Sequence, residues 1–440
     1  MKNPETVFRK YRPGDEESIV SVMNSSFDTF RDFGLTKEVW LGYEKIDPGF
    51  KAENALVAEY EGKIVGHVQI VRRKVKLGDT LYVNMGGIAN VSTIPEVRRR
   101  GISTTLLANA IDYCVREGIP LSGLFTGYGG TAHRVYRRVG YEDTALSTSF
   151  MGTVDEMRRV KDNCGEANNV QIRHYEKGDE KEILETYVEW SKAYSGIIER
   201  SLEYWRKKLV ERSTIFTFFY GGFDPGEAFV AVENGRITGY AYVTLCKKKR
   251  IPYRPPEAAM IREIAFKPGH FKALSSLIDS IMDFFISEDV KVCEACFPED
   301  EAYLNIFRPF RQMPQSVFMV HVPLIEKLFE EARGELEERL SLTPYVGSRL
   351  VIGFETPYGS MKLSLHGGEL SLQSEEEPTV KIFFDSNCFT RMLFGIETIQ
   401  DLIRENMVRI HTTQYLGKVI SIIQTLFPKR TWFISPIDHW

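Results

Sequence analysis

The sequence predicts an α/β chain of two tandem mixed-sheet units followed by a third unit of α+β type. Three observations predict it: the length, an internal repeat, and a change of pattern after about Val322. At 440 residues the chain is about three times the size of a typical single domain, and its 43% hydrophobic content is enough to fill two or three cores. The expected division is 1–150, 151–325 and 326–440.

The repeat comes first because it sets the architecture. Phe8-Arg9-Lys10-Tyr11-Arg12-Pro13-Gly14-Asp15-Glu16 returns as Ile172-Arg173-His174-Tyr175-Glu176-Lys177-Gly178-Asp179-Glu180, with Arg, Tyr, Gly, Asp and Glu coinciding. Ala55-Leu56-Val57-Ala58 through Gly62 to Gly66 then returns as Ala228-Phe229-Val230-Ala231 through Gly235 to Gly239. Two matches in the same order argue for duplication. Each copy reads as a short strand, a Gly-Asp turn opening a helix, and a hairpin turning at Gly62 or Gly235.

In the first copy a third strand, Leu81 to Ser92, runs into a basic turn and then a helix whose apolar face is Leu106, Leu107, Ala110, Ile111 and Cys114. The second copy has a strand around Ile261 to Phe266 and a helix carrying Leu274, Leu277, Ile278, Ile281 and Met282. Its intervening turn is Lys267-Pro268-Gly269-His270, so the basic glycine turn is missing. After Val322 come a charge-rich helix, Glu326 to Arg339, and a meander near Leu350–Phe354, Met361–Leu365 and Leu370–Gln373. Thr356-Pro357-Tyr358-Gly359 and Gly367-Gly368 supply its turns. Two amphipathic segments follow, one with Ile396, Ile399, Leu402 and Ile403, the other with Tyr415, Val419, Ile422 and Ile423.

Composition excludes several classes. Lysine plus arginine number 56 against 60 acidic residues, a net charge of −4, which is too even for nucleic-acid binding through bulk positive charge. No apolar run approaches the ~18 residues needed to span a bilayer, and no signal-peptide core follows Met1, so a cytoplasmic protein is expected. Six scattered cysteines form no disulfide framework. Cys293-Glu294-Ala295-Cys296 has half a zinc-site spacing without a second half, and the eight histidines lack helical ligand spacing. No metal is expected. His133 reads as surface, and Glu375-Glu376-Glu377 as a solvated turn.

The run Val91-Ser92-Thr93-Ile94-Pro95-Glu96-Val97-Arg98-Arg99-Arg100-Gly101-Ile102-Ser103 lies between a strand and a helix. Backbone N–H groups and the helix dipole there suit an anion such as a pyrophosphate, arginines add charge-assisted contacts, and Gly101 permits close approach or positive φ. Arg98-Arg99-Arg100-Gly101-Ile102-Ser103 resembles the acyl-CoA loop Gln/Arg-x-x-Gly-x-Gly/Ala of the GCN5-related N-acetyltransferase (GNAT) superfamily; Ser103 departs from the pattern. The full succession of two such units and a sterol-carrier-protein-like domain resembles the Eis family of multi-acetylating aminoglycoside acetyltransferases, across essentially the whole chain. Tyr136-Arg137-Arg138-Val139-Gly140-Tyr141 is similar to that family's Tyr-x-Arg-Phe-Gly-Tyr segment. The tail from Pro428 to Trp440 looks like its aromatic-ended terminus.

The resemblance implies an acetyl-CoA-dependent N-acetyltransferase acting on a small-molecule or peptide amine, with one intact and one degenerate catalytic unit. Tyr136 would protonate the departing sulfur, an ordinary phenol near ~10 lying close to a thiol at ~8.5. The α-carboxylate of Trp440 would serve as base or anchor the substrate ammonium, its pKa raised by burial between aromatic walls. Val91, Ser92 and Thr93 would pair with the pantetheine, Arg98, Arg99, Arg100, Gly101, Ile102, Ser103 and Thr104 would hold the phosphates, and Thr131 and Ala132 would form a second contact. The family's trimers and hexamers imply a homo-oligomer. Two alternatives remain at this point: a carrier of lipid or another apolar ligand with a vestigial CoA site, and a long-chain or peptide N-acyltransferase of the kind N-myristoyltransferases resemble.

Overall fold

The computed structural model describes residues 5–440 apart from 166–169, 211–224, 249–250, 252, 373–374 and 387. The first unit contributes β1 (Val7–Lys10), β2 (Phe50–Tyr60), β3 (Lys63–Lys76), β4 (Tyr82–Thr93), β5 (Leu121–Thr126) and β6 (Glu142–Thr153). The second contributes β7 (Gln171–His174), a short β8 (Tyr194–Ser195), β9 (Ala228–Glu233), β10 (Arg236–Leu245), β11 (Ala258–Phe266), β12 (Val292–Ala295) and β13 (Arg311–His321).

The repeated residues build the same turn twice. Arg9 forks onto Asp15 at 2.7 and 3.0 Å, and Arg173 onto Asp179 at 2.7 and 2.9 Å. Tyr11 donates to Glu16 at 2.5 Å and Tyr175 to Glu180 at 2.7 Å, while the same glutamates accept from the Gly14 and Gly178 N–H groups. These pairs fix the strand against the start of the helix that follows, Glu16–Ser26 or Glu180–Ser191. Coincident residues are therefore coincident ion pairs.

Both units share one twelve-stranded sheet in the order β1-β2-β3-β4-β5-β13-β6-β12-β11-β10-β9-β7. The last strand of each unit crosses over: β13 inserts between β5 and β6, and β6 lies between β13 and β12. Each unit thus completes the other's sheet. The exchange is invisible to a strand-by-strand reading of the sequence.

The third unit is a five-stranded sheet, order β16-β15-β14-β17-β18, of β14 (Arg349–Thr356), β15 (Gly359–His366), β16 (Glu369–Ser371), β17 (Val380–Phe384) and β18 (Val408–Thr412). Helices Ile325–Ser341 and Leu416–Leu426 flank it. The sequence reading lacks β17 and β18, whose apolar residues alternate too briefly to stand out, and Gln373 lies outside the described residues. Tyr415 is a correction: it is 81% exposed and precedes the helix at its N-cap, so Val419, Ile422, Ile423 and Leu426 alone form the buried face. Phe354, Ile382, Phe389, Met392 and Phe394 fill the unit's interior. Among the described residues no helix is long and apolar enough to cross a membrane.

The tail then runs back across the first two units. Its β19 (Thr431–Trp432) pairs in parallel with β8, and Phe433, Ile434 and Ile437 are buried. Docking agrees with the apolar pattern of the tail.

Candidate active site

Strands β4 and β5 pair only at Met85–Leu121, Gly86–Ser122 and Gly87–Gly123, and then diverge. A bulge in β4 assists the divergence: Ala89 faces Gln69 and Ser92 faces His67, leaving Asn90 and Val91 opposite Val68, with Asn90 at φ 55°. Bulges bend strands and end pairing. The result is a wedge whose β4 edge, from Ile88 to Thr93, has no strand partner on the β5 side.

Beyond the wedge lies the basic turn. Arg99 at φ 65° and Gly101 at φ 80° are both left-handed, so the chain around Arg100 curls its N–H groups inward, the geometry of a backbone anion nest. Gly101 is also the N-cap of the fifteen-residue helix Ile102–Arg116, whose first N–H groups have no intrahelical acceptor. Arg98 Nε donates to the Thr93 carbonyl at 3.1 Å, and Thr93 Oγ1 lies 2.8 Å from Ser103 Oγ. The serine that departs from the acyl-CoA loop pattern therefore ties the turn to the strand end.

A groove of about 820 Å³ opens here, lined by Val91, Ser92, Thr93, Arg98, Arg99, Gly101, Ile102, Ser103, Thr104, Thr131 and Ala132 together with Tyr136. Arg100 is the exception among the loop residues. Its guanidinium lies 5.4 Å from the centre of the Tyr60 ring, a cation–π contact on the other side of the turn. Arg134 and Arg138 line the groove as well and were missed; with Thr131 they recur at helical spacing on one face, which was the available signal. Ser26 and Phe27 join from the end of the first helix. The cradle thus offers the N–H groups of the helix start and four arginines, Arg98, Arg99, Arg134 and Arg138, to a phosphorylated, amide-bearing ligand such as CoA. His133 is a correction to the surface reading: it is buried, with Nε2 2.7 Å from Asp143 Oδ1.

The two candidate catalytic residues flank the wedge from opposite faces of the sheet. A Cβ on Gly86 would lie 2.7 Å from Cys114 Sγ, on the side of the Ile102–Arg116 helix; one on Gly87 would lie 2.6 Å from the Trp440 ring, on the other side. Tyr136 packs on the helix side, in the core of Leu106, Leu107 and Ala110. Burial pushes its phenol up to about 12, which keeps it protonated at neutral pH but widens the gap to a thiol near ~8.5. Trp440 does not line the groove; its ring rests on Gly87, the last residue of β4 paired to β5, 5.4 Å from Phe125. His439 stacks on Phe125 at 4.0 Å, and the Arg73 guanidinium, forked onto Asp47 at 2.8 and 2.6 Å, lies 5.8 Å from the Trp440 ring.

The second unit has the same wedge, filled. Strands β11 and β12 pair from Ala258–Val292 to Ile261–Ala295, and Arg262 occupies the bulge. Phe297 then stacks against Phe150 at 4.3 Å, Phe307 at 4.6 Å and Tyr303 at 5.3 Å. Tyr303 OH donates to the Ile264 carbonyl and accepts from Trp190 Nε1. Cys293 and Cys296 are buried, with thiols pushed up by desolvation, Cys296 to about 12, as suits structural cysteines. Among the described residues no cluster of three or more His, Cys, Asp or Glu side chains is set to hold a metal.

The acetyltransferase (GNAT) domain family model matches residues 7–144, the span that builds this groove. Residues 7–144 thus form a GNAT acetyltransferase domain. A mycothiol acetyltransferase of Acidimicrobium ferrooxidans is 32% identical over 141 residues, 30% of this chain and 43% of that protein; the GNAT chain here thus spans less than half the length of this curated relative. The whole-chain fold recurs in solved structures. A GCN5-related N-acetyltransferase from Anabaena variabilis aligns with a TM-score of 0.70 at 16% identity over 98% of this chain and 99% of its own. Eis1 from Mycobacterium abscessus aligns with a TM-score of 0.62 at 15% identity, with 98% and 99% covered. Two mixed-sheet units and a third α+β unit thus make the same overall fold as Eis1.

Proposed function

We propose that this GNAT protein transfers acetyl from acetyl-CoA directly to an amine, with Tyr136 donating to the leaving sulfur and the Trp440 carboxylate receiving the amine's proton. One observation carries the reading: a cradle of free N–H groups and arginines leads to a wedge with Tyr136 on one face and Trp440 on the other. Backbone groups of Val91, Ser92 and Thr93 would hold the pantetheine arm, and the turn from Arg98 to Thr104, with Arg134 and Arg138, the phosphates. Acetyl-CoA would supply the activated thioester; the chain's residues would orient it and exclude water. Opposite placement suits the chemistry, because the amine enters from one side of the thioester carbonyl while the sulfur departs toward the other. No covalent enzyme intermediate is needed.

Thiol release from acetyl-CoA, measured across a polyamine, an amino sugar, a peptide N-terminus and amines related to mycothiol, tests the reading; mycothiol enters through the name of the relative above. Turnover with at least one amine is expected. Absence of CoA binding by calorimetry overturns it. Competition by long-chain acyl-CoA, weaker than by CoA itself, separates acetyl from longer acyl transfer. The same reading carries with it a cytoplasmic homo-oligomer, trimer or hexamer, which sedimentation checks.

A further inference from the structure

The second unit, whose wedge is filled, still holds a concentration of buried charge, and it meets the tail. Arg200 is fully buried, following the β8 segment of the second unit. Its Nη1 and Nη2 fork onto Glu263 Oε1 and Oε2 at 2.8 and 2.7 Å. Its Nε and Nη2 bind Asp438 at 3.1 and 2.7 Å. Tyr204 OH donates to Asp438 Oδ1 at 2.8 Å, Tyr240 OH donates to Glu263 Oε1 at 2.8 Å, and the Arg200 guanidinium lies 4.1 Å from the centre of the Tyr187 ring. Every oxygen of both carboxylates accepts at least one bond.

Such a cluster is expensive to bury, and replacing one with apolar side chains is often neutral or stabilising. A use in fixing one geometry is the better-attested reason to keep it. The geometry fixed here is the position of the tail. Asp438 stands two residues before Trp440, and two residues of extended chain reach at most about 7 Å. Glu263 stands on β11 beside the bulge, where the second unit's wedge opens.

We infer that the Arg200–Glu263–Asp438 cluster is the socket that holds Trp440 at the first unit's wedge, so that the second unit acts by positioning the chain end. Arg200, Glu263 and Asp438 are then positioning residues, with Tyr204 as a lesser one. The inference rests on the reading of Trp440 given above for its effect on turnover, but not for its effect on the tail.

Asp438→Asn is the variant of choice. It is nearly isosteric and takes the three-group charge from −1 to zero, leaving Arg200 paired with Glu263. The full-length protein is incubated with carboxypeptidase A, and release of the terminal tryptophan is followed by mass spectrometry. CoA affinity, thermal midpoint, kcat and KM for acetyl-CoA are measured alongside. The wild type is expected to resist; Asp438→Asn should release Trp440 at least about tenfold faster, the loss of ~1.4 kcal/mol of clamping, with a similar fall in kcat and CoA affinity unchanged. Tyr204→Phe, which removes one hydrogen bond and no charge, should give a smaller change in the same direction and covers the case in which Asp438→Asn does not fold. Unchanged tryptophan release in both variants overturns the socket, whether or not the protein acetylates anything. Faster release with unchanged kcat overturns the positioning role and, with it, the assignment of the proton acceptor to Trp440. A wild type that turns over no amine defeats the proposed function while leaving the protease result to decide the socket.

Discussion

The first and second units start from the same Arg-Tyr-Gly-Asp-Glu turn and carry the same splayed pair of central strands, yet one wedge is open and the other is packed with rings. In the first, left-handed Arg99 and Gly101 curl the chain toward the groove, and the glycines at 86 and 87 let Cys114 and the Trp440 ring pack closely on the strand. In the second, Gly269 is also left-handed at φ 85°, but Pro268 removes one N–H, His270 is bound to Glu233, and Phe297, Tyr303 and Phe307 stack where a ligand arm would pass. A shared backbone therefore does not make a shared site; what distinguishes the two is the turn that follows the third strand and the stack of Phe297, Tyr303 and Phe307 in the second unit.

Paired substitutions sharpen that contrast. The largest effect is expected from Tyr136→Phe, which should lower kcat by about a hundredfold, the lower end for a general acid, with CoA affinity unchanged; Tyr303→Phe should leave kcat alone and lower the thermal midpoint, having lost two buried hydrogen bonds. Equal kcat in Tyr136→Phe and wild type would remove the acid assignment.

Next in size is Gly101→Val against Gly269→Val. Both force a β-branched residue into the left-handed region, at roughly 1–2 kcal/mol. Only the first should weaken CoA binding by calorimetry, by about thirtyfold, from the loss of charge-assisted N–H contacts worth ~2 kcal/mol.

A smaller effect is expected from Gly87→Ala, whose methyl would sit 2.6 Å from the Trp440 ring. Displacement of that ring should reduce kcat by about tenfold, the equivalent of ~1.4 kcal/mol. Gly152→Ala, which would place a methyl 2.2 Å from the Phe310 ring, should cost stability alone, on the order of 1–3 kcal/mol for overpacking. Denaturant melts and steady-state kinetics on both variants separate the two outcomes.

The smallest effect is a slope. His67 and Tyr240 occupy the same place in the repeat, one residue after Gly66 and Gly239. His67 is buried with its Nδ1–H on the Asn90 carbonyl, and desolvation holds it at about 4, the hydrogen bond opposing this only in part. Its unfolded value is ~6.5, so between those limits the unfolded chain binds the extra proton. His67 thus costs no stability above pH ~6.5, and stability falls as the pH drops toward 4, at up to ~1.4 kcal/mol per pH unit. His67→Gln should flatten that decline in thermal melts from pH 7 to 4.5, whereas Tyr240→Phe should lower the whole curve without changing its slope.

Much of the site was legible because its chemistry is local. A strand, a turn with Gly101 and three arginines, and a helix are contiguous, so the residues that line the groove could be named from one stretch, with Arg100 the miss because the direction of a side chain in a nest depends on φ at its neighbour. Arg134 and Arg138 were missed although they share a helix face with Thr131. The socket was not legible at all: Arg200, Glu263 and Asp438 are far apart in the chain, and each taken alone is an ordinary charged residue. Nor was the strand exchange, because β6 and β13 have the same alternation whichever sheet neighbour they take.

The order of residues determined the duplication, the basic left-handed turn and the apolar tail, since each depends on periodicity and on backbone preferences within a few positions. Only the tertiary structure decided that each unit completes the other's sheet, that one wedge is open and the other filled, and that Trp440 comes to rest on Gly87. Those outcomes depend on which distant side chains exclude one another from the same volume, and neighbours in sequence carry no record of that.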